Sequence, residues 1–269
     1  MPDVSAAEAL LRRDRLLVAA CLAVICLLSW IYLVTGAGTG MSTVAMTTWE
    51  FPPPIYRSSG GGAWSFSYCL IMLLMWWVMM IAMMVPSAAP MILLYTRVQR
   101  HALKGSPGDA AVPVLSFLSG YLLAWFFFSL LATAMQWGLE RAGLVHGMMM
   151  WSTSHTLSAL FLLAAGLYQF SPLKNRCLTH CKSPAAFLSA HWRKGPAGAL
   201  RMGVEHGLYC VGCCWSLMLL LFVGGIMNLV WIAGLAIFVL LEKLLPRGDW
   251  LARASGAVMI AVGGYLLLA

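Results

Sequence analysis

The sequence predicts an all-α fold, a polytopic bundle of transmembrane helices forming one integral membrane domain over residues 1–269. Three observations predict it. Hydrophobic residues make up 61% of the chain and charged residues only 10%, whereas a soluble domain carries about 25% charged residues. Several apolar runs approach or exceed the roughly 20 residues that a helix needs to cross the hydrocarbon core. Finally, the basic residues gather in alternate short loops rather than scattering along the chain.

Spans are expected near 16–35, 68–95, 113–137, 156–171, 205–225, 227–245 and 252–269. The first run, Leu16 to Val34, is too long for the apolar region of a signal peptide and lacks a small-x-small cleavage site, so it reads as a retained span. Segment 156–171 is short, and only Gly224-Gly225 separates the fifth and sixth runs. The count is therefore about seven spans, or six if one of these fails to cross.

Orientation follows from charge. With the N-terminus inside, inner segments hold Arg12, Arg13, Arg15, Arg97, Arg100, Lys104, Lys174, Arg176, Lys182, Arg193, Lys194, Arg201, Lys243, Arg247 and Arg253. Outer segments hold only Arg57 and Arg141, so fifteen of the 17 basic residues lie inside. That asymmetry predicts an N-in, C-out topology. It also accounts for the net charge of +8 without a nucleic-acid partner.

The outer loop 36–66 carries Pro52-Pro53-Pro54 and the run Ser58 to Gly62 and reads as irregular. The outer loop 138–155 carries His146, Met148 to Met150 and His155, and the inner loop 172–202 carries Cys177, His180, Cys181 and His191.

The most informative stretch is Glu205-His-Gly-Leu-Tyr-Cys-Val-Gly-Cys-Cys-Trp215, at the mouth of the fifth run. At 100° per residue, His206, Cys210, Cys213 and Cys214 fall within an arc of about 100° on one helix face. Neighbours three or four apart can point at one ion, and thiols and imidazoles are the donors that soft transition metals prefer. Glu205 lies off this face and is expected to support His206 or pair with a nearby base. Gly203, Gly207 and Gly212 leave room for close approach by another segment. On the assigned topology, Cys177, His180 and Cys181 reach the same membrane face, so that a four-donor site can draw on both segments. The cytoplasm keeps such thiols reduced. Cys21 and Cys26 read as packing residues.

Methionines form a third feature. Met72, Met75, Met79 and Met83 make one helical stripe, and Met80, Met84 and Met91 a second about 100° round. Thioethers suit a transient Cu(I) relay, with Met79 and Met83 the chosen ligands; packing of irregular gaps is the competing explanation. Pro86 and Pro90 interrupt the same run. Most of the tryptophans, among them Trp76 and Trp125, read as interfacial anchors. Gln136 and Asn228 read as hydrogen-bond partners between helices, and Glu242-Lys243 as a solvated ion pair, with Glu242 projecting towards the metal face as the alternative. No P-loop, dinucleotide fingerprint, nucleophile elbow or H-E-x-x-H motif is present, and no catalytic residue is assigned.

Several motifs follow one another in a familiar order: Trp77-Val-Met-Met-Ile-Ala-Met-Met-Val-Pro86, Tyr168-Gln-Phe-Ser-Pro-Leu-Lys-Asn-Arg-Cys177, Cys181-Lys-Ser-Pro184 and Gly207-Leu-Tyr-Cys-Val-Gly-Cys-Cys-Trp215. The order continues through Leu217 to Asn228 and Leu241-Glu-Lys-Leu-Leu-Pro246. Over roughly residues 67–250 the chain resembles a bacterial family of predicted metal-binding integral membrane proteins. The resemblance implies a bacterial inner membrane location and metal binding, with copper the metal usually suggested. It implies no mechanism.

The leading expectation is Cu(I) handling, either transport or delivery to a membrane cuproenzyme, with another soft transition metal as the alternative cargo. Expected ligands are Cys210, Cys213, Cys214, His206, Cys177, His180, Cys181, Met79 and Met83. Expected partners are the lipid bilayer and a cuproenzyme or metallochaperone, with self-association or a hetero-oligomer left open. Two other functions compete. One is a thiol redox protein using Cys210 and Cys213; the other is an accessory subunit whose Gly256, Gly263 and Gly264 receive partner helices.

Overall fold

A computed structural model describes residues 4–51, 53, 64–102 and 111–268, with side chains from Leu16 onward. Pro52, Pro54, Arg57, Ser58 to Gly62 and Lys104 lie outside the described residues, as do the side chains of Arg12, Arg13 and Arg15.

The described residues form α-helices and no strand, apart from one isolated bridge between Val145 and Ser152. In chain order the helices are α1 Val4–Val34, α2 Phe66–Ala102, α3 Ala111–Arg141, α4 His155–Gln169 and α5 Pro172–Lys182. They continue with α6 Pro184–His191, α7 Gly195–Leu219, α8 Leu221–Gly224, α9 Leu229–Leu244 and α10 Gly248–Leu268. Proline starts α5, α6 and α7 within the first turn, where its missing N–H costs no helical bond.

Among the described residues five helical stretches are long and apolar enough to cross a membrane: Leu16–Val34, Phe66–Ala102, Ala111–Arg141, Gly195–Gly224 and Gly248–Leu268. The pair α4 and α5, bent by 65° at its break, makes a sixth if counted as one broken span. The segment expected as a span near 227–245 folds as α9, which has only 16 residues. At 1.5 Å per residue it reaches about 24 Å, short of a hydrocarbon core about 30 Å thick. Among the described residues, length and apolarity thus give five or six candidate crossing helices, against the seven, or six, expected from sequence.

α2 and α7 form the interior. α2 buries methionines on both stripes, namely Met72, Met75, Met79, Met80, Met83, Met84 and Met91. A helix buried on several faces belongs in a core. Trp76 and Trp125, read from sequence as interfacial anchors, are instead among the largest fully buried side chains. Trp76 donates to Gln136 Oε1 at 2.8 Å, and Gln136 in turn donates to the buried Glu140 at 2.8 Å. Gln136 therefore links α2 to α3, as its position in an apolar run predicts. Asn228 acts differently from expectation: its Oδ1 caps α9 by accepting from Val230 N, and its Nδ2 donates to the carbonyls of Thr48 and Gly224.

α3 lies directly on α7, α4 on α10, and α1 on α2. The α3–α7 contact is made by backbone. A Cβ on Gly203 would sit 2.0 Å from Phe117 O, and one on Gly120 2.2 Å from Leu200 O. Gly256 and Gly263, expected to receive a partner helix, are filled from within the chain by Gly166 and Ala159 of α4. Gly264 has no neighbour within 4 Å.

Gly203→Val is expected to force α3 from α7. Overpacking costs about 1–3 kcal/mol and more where rigid backbone must move. Thermal unfolding in mild detergent should show a lowered midpoint for this variant. Gly138→Ala, at an open and exposed helical position, should leave the midpoint unchanged or slightly raised.

Candidate metal centre

α7 positions three of the thiols. Cys210, Cys213 and Cys214 share one buried face of the helix. The Cys213 and Cys214 thiols donate back to the Cys210 carbonyl at 3.1 and 2.9 Å. α5 lies over this face. Its Cys181 Sγ is 3.9 Å from Cys213 Sγ, and its Cys177 Sγ fills the space above Gly212, where a Cβ would approach to 2.7 Å. Tyr168 at the end of α4 donates to the Gly212 carbonyl at 2.5 Å and fixes the bend over the same spot. From the opposite side, α2 brings Met84 Sδ to 3.8 Å from Cys214 Sγ.

These separations suit a shared soft ion. Two sulfurs each about 2.3 Å from a metal, at tetrahedral to trigonal angles, stand about 3.8–4.0 Å apart. Among the described residues no group of three or more His, Cys, Asp or Glu side chains is arranged to hold a metal ion. The donors are gathered without being closed around one point.

α9 adds a cation that the sequence reading assigned elsewhere. Lys243, expected to form a solvated ion pair with Glu242, is buried. Its Nζ donates to Cys210 Sγ at 3.0 Å and to Ser87 Oγ at 2.9 Å. Ser87 Oγ donates to the Met84 carbonyl at 2.9 Å. The Tyr121 hydroxyl donates to the same carbonyl at 3.1 Å and lies 3.2 Å from Cys210 Sγ. Lys243, Ser87, Met84, Tyr121 and Cys210 thus form a closed polar ring linking α9, α2, α3 and α7.

Glu242 points to another partner. Both of its oxygens accept from Lys174 Nζ at 3.0 Å, and Oε1 also accepts from Gln169 Nε2 at 3.3 Å. Lys174 is 0% and Glu242 1% exposed, so this pair is fully withdrawn from solvent. It clamps α5, and with it Cys177 and Cys181, onto α9.

The remaining predicted donors make other contacts. His206 is buried in an aromatic box of Phe117, Tyr121 and Phe187, with ring centroids 6.1, 5.9 and 5.3 Å away. Its Nδ1 has no hydrogen-bond partner among the described residues. His180 stacks on Tyr209 at 4.3 Å and donates from Nδ1 to the Arg176 carbonyl at 2.8 Å. Met79 and Met83 are buried in α2; Met84, from the neighbouring stripe, makes the sulfur contact. Glu205 pairs with Arg193 at 3.2 Å and Arg201 at 3.3 Å, the base-pairing alternative expected for it. Sequence reasoning missed Lys243, Tyr121, Ser87 and Lys174. A lysine closing an apolar helix was the available signal, since charges in such runs mark function or a specific partner.

Fold and site together define a class: bundles of long apolar helices that gather thiol and thioether donors in their interior. The model of the PpoB2 copper chaperone family matches residues 73–266, and the chain belongs to that family. The matched region takes in every sulfur and nitrogen donor of the predicted site. No curated protein and no solved structure matches the chain.

Lys174→Ala strands the Glu242 carboxylate and is expected to cost about 3–5 kcal/mol. Thermal unfolding should register this loss, and limited proteolysis should cut α5 faster. Replacing both partners, Lys174→Met with Glu242→Met, should recover most of the stability, because well-packed apolar substitutes often match a buried pair.

Proposed function

We propose that the protein is an integral membrane Cu(I) chaperone that loads copper into the sulfur pocket between α2, α5 and α7 and hands it to a cuproenzyme. The observation that carries this reading is the sulfur geometry of a chain in a copper chaperone family. Cys181, Cys213, Cys214 and Met84 supply two sulfur pairs, 3.9 and 3.8 Å apart, and the Cys210 carbonyl accepts from both Cys213 and Cys214. Thiolates and thioethers select Cu(I) over harder ions. Cys177 stands beside the same pocket as a further donor.

In this reading the apolar helices cross the bacterial inner membrane, N-terminus inside, as the charge asymmetry favours. The thiols then face the reducing side, where they stay available as ligands. The buried methionines of α2, including Met79 and Met83, offer weak, rapidly exchanging sites along the approach from the outer loop, where Met148 is exposed. His206 serves the aromatic packing of α3 and α7, and His180 stacks on Tyr209 outside the sulfur set. Lys243 supplies a fixed positive charge beside Cys210, so copper entry requires the ammonium to leave that sulfur and keep Ser87 as its partner.

Copper content of protein purified anaerobically in mild detergent tests the reading. Wild type loaded with Cu(I) should retain a stoichiometric amount, and the triple variant Cys210→Ser, Cys213→Ser, Cys214→Ser should fall at least tenfold. Equal copper in both would remove the thiols from the site. Met79→Leu with Met83→Leu should keep the final copper content and slow loading, which stopped-flow competition with a chromogenic Cu(I) chelator would read.

A further inference from the structure

The sulfurs of Cys181 and Cys213 lie 3.9 Å apart on two different helices, α5 and α7. Their backbones are held close by independent contacts. Cys177 Sγ occupies the only space that a side chain at Gly212 would fill, and Tyr168 OH binds the Gly212 carbonyl. Exposure differs within the cluster. Cys210, Cys213 and Cys214 are buried, whereas Cys181 is partly exposed.

We propose that Cys181 and Cys213 form a reversible disulfide, made by exchange with a small disulfide of the oxidised glutathione class, which closes the sulfur pocket. Cys181, the accessible thiol, attacks one sulfur of the small disulfide as its thiolate. The S–S bond of the reagent breaks, one glutathione thiolate leaves, and Cys181 carries a mixed disulfide. Cys213 then loses its proton to solvent or to the departing thiolate and attacks the Cys181 sulfur. The second glutathione leaves, so that two protein thiols have been oxidised and one glutathione disulfide reduced to two thiols.

Geometry selects this pair over Cys210 and Cys213. The latter are three residues apart within one helix, where Cβ atoms stand about 5–6 Å from each other. A disulfide needs them about 3.5–4.5 Å apart. Cys210 is further held by Lys243 and Tyr121. The consequence for copper rests on the chaperone reading above: the bond removes two donors and staples α5 across the rest, so copper loading stops when the glutathione pool becomes oxidised and resumes on reduction.

The test uses the full-length protein in detergent, anaerobic and metal-free, incubated with oxidised glutathione and then blocked with iodoacetamide. Peptide mapping, with fragmentation between Cys177 and Cys181, should recover a Cys181–Cys213 cross-link that dithiothreitol releases. Cu(I) uptake should fall at least tenfold in the cross-linked fraction and return on reduction. Cys181→Ser should abolish the cross-link. A Cys210–Cys213 bond, or complete alkylation of Cys181 and Cys213 after oxidation, would overturn the proposal, as would full copper uptake by the cross-linked protein. A cross-link that forms in protein whose reduced state takes up no copper would uphold the disulfide and refute the chaperone reading instead.

Discussion

The contact between Lys243 and Cys210 organises the interior of this protein. A buried ammonium is costly unless it is met by acceptors, and Lys243 meets a sulfur on α7 and a hydroxyl on α2. Its sequence neighbour cannot compensate it in the same way, because Glu242 is bound by both oxygens to Lys174. Adjacent helical residues point about 100° apart, so the last turn of α9 fastens two different things. Lys243 holds the α2–α7 side of the pocket, and Glu242 holds α5, its lid. This explains why so short a helix matters: its end, rather than its length, does the positioning.

Sulfur chemistry follows from that frame. α7 presents three thiols on one face, α5 brings Cys177 and Cys181 from above, and α2 brings Met84 from behind. None of these elements alone supplies a complete donor set. Glycines permit the assembly by letting backbones touch, most tightly where α3 meets Gly203 of α7. The methionines of α2 are packed as core residues, which is compatible with weak, transient coordination because a thioether needs no deprotonation to bind.

Much of this was legible in the sequence, and the exceptions have physical causes. Helical periodicity put Cys210, Cys213 and Cys214 on one face, and the all-α fold followed from apolar run length. With the methionines periodicity is silent: α2 carries them on two stripes and buries both, so nothing local singles out Met84, which meets Cys214. His206 shares the cysteine face by angle yet is drawn into the rings of Phe117, Tyr121 and Phe187, aromatic partners that only tertiary packing supplies. Glu242-Lys243 looked like a solvated pair because it ends a helix. Lys174, its actual complement, comes from a segment 68 residues away. Long-range partners of buried charges are set by the fold, which a single sequence does not display. α4 and α5 show the same limit, since Ser171-Pro172 marks a break but not the 65° bend that lays α5 over the thiols.

Copper K-edge X-ray absorption on the Cu(I)-loaded, anaerobic protein tests the central claim most directly. A pocket built from Cys181, Cys210, Cys213, Cys214 and Met84 predicts a first shell of sulfur atoms alone, unchanged when His206 and His180 are each replaced by alanine. A first shell containing nitrogen or oxygen that disappears in either histidine variant would contradict the sulfur-pocket account.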